Sequence, residues 1–164
     1  MNVERPLERI KKYMLARHET LAVAESVTSG NLQAAFSLAE DATSFFQGGI
    51  TAYNLGQKAR HLKINPIHGE LCNCVSEQVA VEMAEQVCEL FSSDWGIGIT
   101  GYAAHVPELD INELHAYCAF AHRGQKTVSR KLKAPRLEIR EAQEYYAETV
   151  LKEFSKTVWA SKRL

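Results

Sequence analysis

The sequence lacks both an excess of charge of one sign and a long apolar run. Its 164 residues carry 19 Lys and Arg against 20 Asp and Glu, without the basic excess typical of nucleic-acid binders. No apolar run approaches the roughly 20 residues that a membrane span needs, and residues 1–12 lack the apolar core of a signal peptide. We therefore expect no nucleic-acid partner, no membrane partner and a cytoplasmic location.

Cysteine is also scarce. The four cysteines are Cys72, Cys74, Cys88 and Cys118, too few for a disulfide framework in a chain of this length. Cys72 and Cys74 form the one close pair, but no second pair or spaced histidine completes a metal-binding pattern. We expect reduced thiols, no metal site and no cofactor.

With 46% hydrophobic and 24% charged residues, the composition is typical of a folded domain, and we interpret residues 1–164 as a single domain.

Hydrophobic periodicity predicts alternating helices and strands. Residues 63–75 are predicted as a loop, with Pro66 and Gly69 as breakers, and residues 123–124 as the turn of a late hairpin. This order favours an α/β fold, a three-layer α/β/α arrangement with a mixed, mostly parallel sheet. The predicted helices are 4–17, 32–38, 54–62, 77–91 and 137–159, and the predicted strands are 21–24, 44–53, 95–100, 114–122 and 126–133.

The stretch Leu21–Gly30, LAVAESVTSG, runs from an apolar segment into a carboxylate, several hydroxyls and a glycine. A buried strand that ends in this way places hydroxyls and backbone N–H groups at the carboxyl edge of a sheet, where open α/β folds bind ligands. The helix that follows favours negative charge at its N-terminus. The alternative is that Thr28 or Ser29 only caps that helix, and the local pattern alone favours the cap.

Residue types suited to covalent acyl chemistry are present. A serine is a nucleophile when a base takes its proton, and a lysine whose pKa is lowered by burial is such a base. Ser26 and Lys58 are candidates, because each lies near the end of a predicted strand–helix connection. Spacing does not select them among the other serines and lysines, and most lysines are surface residues.

Four segments carry a resemblance to a known family. They are TLAVAESVTSG (Thr20–Gly30), FQGGITAYNLGQK (Phe46–Lys58), VSEQVAVEMA (Val75–Ala84) and GITG (Gly98–Gly101). In order and spacing they resemble the C-terminal domain of the competence/damage-inducible CinA proteins, which also occurs as a stand-alone nicotinamide mononucleotide (NMN) deamidase. The resemblance extends over approximately residues 7–150. Larger family members carry a molybdopterin-binding-like domain before this one, for which this chain has no room.

The resemblance implies an amidohydrolase that converts NMN into nicotinate mononucleotide and ammonia, without a metal or organic cofactor. It implies Ser26 as nucleophile, Lys58 as base and Tyr53 as a further catalytic residue. The small-molecule nucleotide is the expected partner, and the family resemblance also suggests a homodimer. For Tyr53 the alternative is a core tyrosine with a satisfied hydroxyl.

The implied substrate-binding residues are spread along the chain. Backbone N–H groups of residues 27–30 are expected to hold the oxyanion. An arginine near the start of the last helix is expected to bind the phosphate; it falls on Arg140, with Arg136 as the alternative, and an isolated helix arginine is more often solvated. The substrate-binding set comprises Thr28, Gly30, Thr100, Gly101 and Arg140.

The sequence also departs from the family pattern. Val27 replaces a cysteine, Ser29 replaces a glycine, and residues 102–113 contain no glycine where the family has a glycine-rich loop. We expect the Ser29 side chain to crowd the pocket. The alternative function is therefore an impaired or inactive homologue that binds a nucleotide-like ligand or a protein partner. A third is hydrolysis of a different small amide or phosphate-bearing substrate, with Tyr102 and His105 as specificity elements. For both residues the alternative is an ordinary surface loop, which is favoured for His105.

Overall fold

The computed structural model describes residues 3–161, in which five strands form one sheet. The strands are β1 (Leu21–Glu25), β2 (Phe46–Thr51), β3 (Trp95–Gly101), β4 (His115–His122) and β5 (Val128–Lys133). Their spatial order is β2–β1–β3–β4–β5. β1 pairs in parallel with β2 and β3, whereas β3–β4 and β4–β5 are antiparallel. The predicted mixed sheet and its antiparallel hairpin are confirmed.

Helices cover both faces of this sheet. They are α1 (Glu4–Arg17), α2 (Asn31–Ser37), α3 (Leu55–Leu62), α4 (Pro66–Leu71), α5 (Glu77–Leu90) and α6 (Ile139–Ala160). α1, α2 and α6 share one apolar core with the larger strand side chains, among them Ile97 and Phe120. α3 and α5 pack on the other face, against the small side chains Ala22 and Ala24. The three-layer α/β/α arrangement predicted from the sequence is therefore confirmed.

Glycines in β3 allow α5 to lie unusually close to the sheet. A Cβ at Gly96 would stand 2.1 Å from the carbonyl oxygen of Ala84, and one at Gly98 would stand 2.4 Å from that of Ala80. Ile97 and Ile99 point to the opposite face, where they are fully buried. Because this alternation fixes the register of β3, it also fixes where Thr100 emerges at the carboxyl edge.

The prediction of a loop over residues 63–75 is wrong in part, because residues 66–71 form α4. The Asn65 side chain accepts hydrogen bonds from the backbone N–H groups of Ile67 and His68, at 3.0 and 3.2 Å. Pro66 occupies the first turn, where its missing N–H costs nothing and its fixed φ favours the helix. The proline therefore starts a helix here rather than breaking one.

Glycines in β2 allow its backbone to lie close to β1. A Cβ at Gly49 would lie 2.6 Å from the carbonyl oxygen of Val23, and the register between β1 and β2 shifts beside Gly48.

The four cysteines are free thiols. None of the helices within residues 3–161 is both long enough and apolar enough to span a membrane.

Candidate active site

The site is built on the turn that follows β1. Ser26 is the first residue after the strand, and its backbone N–H donates to the carbonyl of Ile99 in β3 at 3.1 Å. This bond continues the parallel pairing by one residue and holds Ser26 between the carboxyl ends of β1 and β3. Ser26 is 7% exposed, and its hydroxyl is therefore largely shielded from bulk water.

Glu25 holds this turn in place, a role that the sequence reasoning missed. Its buried carboxylate accepts the backbone N–H groups of Gly30 at 3.1 Å, Leu32 at 3.0 Å and Gln33 at 2.8 Å. These groups lie at the N-terminus of α2, which has no side-chain cap of its own. A carboxylate is favourable there because it satisfies free N–H groups and complements the helix dipole. The available signal was an acidic residue at the end of an apolar strand.

Ser29 and Gly30 turn the chain into α2 through the left-handed region, with φ values of 51° and 98°. The expectation that Ser29 crowds the pocket is not met: its side chain is exposed and does not line the cavity around Ser26. Gly30 likewise lies outside that lining, as the N-terminal cap residue of α2. The departure at Ser29 therefore imposes backbone strain, of about 1 kcal/mol or slightly more, rather than a steric block.

Lys58 reaches Ser26 from the first turn of α3. Asn54 starts this helix by accepting the backbone N–H of Gln57 at 3.0 Å. The Lys58 side chain is only 2% exposed. Its Nζ donates to Ser26 Oγ at 2.8 Å and to the carbonyl oxygen of Tyr53 at 3.2 Å. The structure thus brings together the two candidates that spacing alone did not select.

Burial lowers the pKa of Lys58 below its ordinary value, because a low-dielectric surrounding disfavours the ammonium form. The ionisable group that acts on it is the thiol of Cys74, whose own pKa is raised, mainly by burial. Burial therefore shifts both the Lys58 amine and the Cys74 thiol toward their neutral forms. A neutral amine at hydrogen-bonding distance from a hydroxyl is the arrangement that proton abstraction requires.

Of the backbone N–H groups at residues 27–30, two have other acceptors. Ser29 donates to the carbonyl of Ser26 at 3.1 Å, and Gly30 donates to Glu25. Within residues 3–161, the N–H groups of Val27 and Thr28 have no hydrogen-bond acceptor, and Val27 lines the cavity. Since Thr28 is not among the lining residues, the N–H group of Val27 is the candidate oxyanion donor.

Thr28 does not line the cavity. It is fully buried, and its Oγ1 has no hydrogen-bond partner within residues 3–161. Its carbonyl oxygen accepts both the backbone N–H and the side-chain amide of Asn31, at 3.0 and 2.8 Å. The structure therefore places Thr28 as a support of the turn and does not bring its hydroxyl to Ser26.

Thr100 and Gly101 do line the cavity, at the end of β3. Thr100 Oγ1 donates to the carbonyl oxygen of Cys74 at 2.6 Å, which ties the turn before α5 to the sheet. A Cβ at Gly101 would lie 2.4 Å from the Cβ of Ala116 in β4. The absence of a side chain at Gly101 is therefore needed for strand pairing.

Tyr53 lies at the mouth of the cavity with 68% of its surface exposed. Its carbonyl accepts from Lys58, whereas its ring is free at the rim. The alternative of a buried core tyrosine is wrong.

Arg140 is not near Ser26 and Lys58 in the chain that the structure describes. Its side chain is 89% exposed, pairs with Glu144 one turn further along α6 at 3.3 Å, and does not line the cavity. The structure therefore does not bring Arg140 into the lining of this cavity, and its role as a phosphate ligand stays a prediction. Arg136 lines a separate cavity of about 260 Å³, together with Lys133 and His105.

Tyr102 is part of the wall of the cavity around Ser26 and Lys58, which has a volume of about 530 Å³ and is called the main cavity below because it holds both candidates. Its backbone N–H donates to the carbonyl of His115 at 2.9 Å, and its carbonyl accepts the hydroxyl of Tyr146 at 3.0 Å. The Tyr102 hydroxyl accepts from Asn73 Nδ2 at 3.4 Å, and its ring meets His115 edge-on. Tyr102 thus connects the segment after β3 to the turn after α4, and Asn73 and Cys74 are wall residues that the sequence reasoning missed.

Comparison with known proteins gives one consistent picture. The family model of the CinA C-terminal domain matches residues 4–157. A CinA-like protein of Picosynechococcus is 46% identical over 87 residues, which is 53% of this chain and 21% of the relative. The chain therefore spans about a fifth of the length of this curated relative and of a similar one from Synechocystis.

Solved structures match over nearly the whole chain. A competence or damage-inducible protein from Enterobacter asburiae has a TM-score of 0.89 at 24% identity, covering 96% of this chain and 99% of the other. A competence-damaged protein (CinA) superfamily protein from Escherichia coli has a TM-score of 0.87 at 25% identity, covering 93% and 88%. These likenesses establish the fold.

Proposed function

Because the chain belongs to the CinA C-terminal domain family, we propose that it is an amidohydrolase that converts NMN into nicotinate mononucleotide and ammonia. The observation that carries this proposal is the 2.8 Å contact between Lys58 Nζ and Ser26 Oγ inside a cavity. A hydroxyl paired with a buried lysine of lowered pKa is suited to nucleophilic attack on an amide carbon.

In the first half-reaction, Ser26 Oγ attacks the carboxamide carbon and Lys58 Nζ takes the hydroxyl proton. The carbonyl oxygen becomes an oxyanion, for which the N–H group of the lining residue Val27 is the candidate donor. The C–N bond then breaks, and Lys58 returns the proton to the leaving nitrogen, which departs as ammonia. The acyl group remains as an ester on Ser26.

In the second half-reaction, a water molecule attacks the ester carbon while Lys58 takes one of its protons. The C–O bond to Ser26 breaks, Lys58 returns the proton to Ser26 Oγ, and the carboxylic acid leaves as nicotinate mononucleotide. Lys58 alternates between base and acid in both halves, which requires an amine that is easily deprotonated. Neither half-reaction uses a metal or an organic cofactor.

Ammonia release from NMN tests this proposal. We expect Ser26→Ala and Lys58→Ala to reduce kcat/KM by about 10³-fold or more, because each removes one member of a unit that acts together. Lys63→Ala is the matched control, since Lys63 is an exposed lysine that ends the same helix and pairs with Glu89. Circular dichroism verifies that the variants fold. A folded wild-type protein that releases no ammonia, or a Lys58→Ala variant that retains activity, would contradict the proposal.

The second candidate is a homologue that binds a nucleotide-like ligand without turnover. It is supported by the segment 102–113, which contains no glycine and contributes Tyr102 to the cavity wall. Its signature is a rise in melting temperature with NMN but no ammonia release, because a ligand that binds only the folded state stabilises it. Turnover that depends on Ser26 would exclude it.

A further inference from the structure

The charge in the main cavity is unusual for a site that receives a phosphate. The lining residues with acidic or basic side chains are Lys58 and Glu70, and both lie in the described part of the chain. Lys58 is buried, and its Nζ already contacts Ser26 and the Tyr53 carbonyl. A phosphate on the same substrate would therefore meet no basic side chain in this lining other than Lys58, which is already engaged.

Glu70 supplies a negative charge to the same cavity. It lies near the end of α4, is exposed to solvent and has no ion-pair partner among residues 3–161. Its carboxylate repels a phosphate and attracts a positively charged ring, although solvent screens both effects.

Two aromatic side chains add to this preference. Tyr53 lies at the mouth and Tyr102 is part of the wall. Aromatic faces attract cations through their quadrupole. The position of Tyr102 is fixed by the hydrogen bonds of its backbone to His115 and Tyr146, so this wall is present before a ligand arrives.

The two ends of NMN differ in charge. The carboxamide sits on a pyridinium ring, which is cationic, whereas the phosphate carries about −1.5 to −2 near neutral pH. Phosphates are normally held by arginine, lysine or a glycine-rich run of N–H groups. Here Arg140 pairs with Glu144 in solvent, and the segment 102–113 contains no glycine.

We infer that this cavity recognises the carboxamide and its cationic ring and makes no specific contact with a phosphate. The substrate class is then a carboxamide on a cationic ring, of which the dephosphorylated nucleoside nicotinamide riboside is the direct probe. This inference rests on the proposed function, because it concerns the ligand of the same Ser26–Lys58 site. The inference goes beyond that proposal because it states that the phosphate of NMN is not specifically bound.

The test compares kcat/KM for NMN and nicotinamide riboside by ammonia release at constant ionic strength. We expect the riboside to equal NMN within about threefold or to exceed it, and inorganic phosphate at millimolar concentration to cause no competitive inhibition. A preference for NMN of tenfold or more, or competitive inhibition by phosphate, would overturn the inference while leaving the amidohydrolase proposal intact.

Binding to the Ser26→Ala protein makes the test independent of turnover. Isothermal calorimetry should give dissociation constants for the riboside and NMN within about threefold of each other, or favour the riboside. If the wild-type protein releases no ammonia from either compound but this binding pattern is seen, the proposed function fails and the inference stands. If the Ser26→Ala protein binds neither compound, or binds NMN at least tenfold more tightly, the inference fails.

Glu70→Gln tests the part of the inference that concerns the ring. We expect kcat/KM for the riboside to fall about threefold, the size of an exposed charge interaction, and that for NMN to fall less or to rise. Glu108→Gln is the control, because Glu108 is exposed in the segment 102–113 and does not line the cavity. An equal fall for both compounds, or an equal effect of Glu108→Gln, would contradict the role of Glu70.

Discussion

Glu25→Gln tests whether the turn that carries Ser26 is held by the buried carboxylate. In the wild-type protein Glu25 Oε2 accepts from Gly30 and Leu32, and Oε1 accepts from Gln33. Glutamine keeps one acceptor oxygen and replaces the other with an NH₂ donor. Whichever way the amide lies, at least one backbone N–H then faces a donor.

The expected loss follows from these three contacts. A charge-assisted hydrogen bond contributes about 1.5–3 kcal/mol, and the charge at the N-terminus of α2 adds about 0.3–1 kcal/mol. The lower desolvation cost of a neutral amide offsets part of this loss. We expect the free energy of unfolding to fall by about 2–3 kcal/mol, which corresponds to about 4–12 °C in Tm for a chain of this size.

Urea unfolding followed by circular dichroism measures this loss. Glu40→Gln is the matched control, because Glu40 is exposed and its partner Lys11 keeps a second carboxylate, that of Glu8 at 2.9 Å; its effect should stay below about 1 kcal/mol. Because Ser26 belongs to the same turn, the Glu25 variant should also lose kcat on NMN. A change in unfolding free energy below about 0.5 kcal/mol would refute the role assigned to Glu25.

Three further predictions concern neighbouring residues. Because the pKa of Lys58 is lowered and the base must be neutral, kcat/KM should fall as the pH drops through that lowered pKa; a pH–rate limb with its midpoint at or above 10.5, the ordinary lysine value, would contradict this. Thr28→Val removes a buried hydroxyl without a partner and should raise the free energy of unfolding by about 1 kcal/mol in urea titrations, whereas a loss would indicate a missed contact. Ser29→Gly should change kcat/KM by less than twofold, because Ser29 does not line the cavity; a rise above fivefold would show that it obstructs the site.

The sequence predicted those parts of the site that depend on short-range pattern. The apolar run before Ser26 predicted a buried strand, and periodicity predicted a helix over 77–91, where α5 begins with Ser76 Oγ accepting the N–H of Val79 at 3.1 Å. The resemblance then selected Ser26 and Lys58, which spacing could not. Their contact is long-range, between residues 32 positions apart, and single-sequence periodicity carries no information about it.

The differences between expectation and structure have a common physical origin in packing between distant segments. Arg140 was placed beside the substrate from its position near the start of α6, but the side on which a helix residue emerges depends on how the helix docks. The role of Glu25 depends on α2 folding back over the strand end, and the position of Cys74 beside Lys58 depends on α4, which was predicted as loop. Local composition does not determine any of these contacts.

The Ser26–Lys58 pair and the wall residue Tyr102 are both anchored to β3, but through different contacts. Ser26 is fixed to β3 through the carbonyl of Ile99, and Lys58 is fixed to Ser26 from α3. Tyr102 is fixed by His115 and Tyr146, on β4 and α6. No side-chain hydrogen bond within residues 3–161 joins Tyr102 directly to Ser26 or Lys58, so we expect substitutions of the Tyr102 side chain to alter the wall more than they alter the Ser26–Lys58 contact. We therefore expect divergence in residues 102–113 to change which amide fits the cavity more readily than it changes the attack by Ser26.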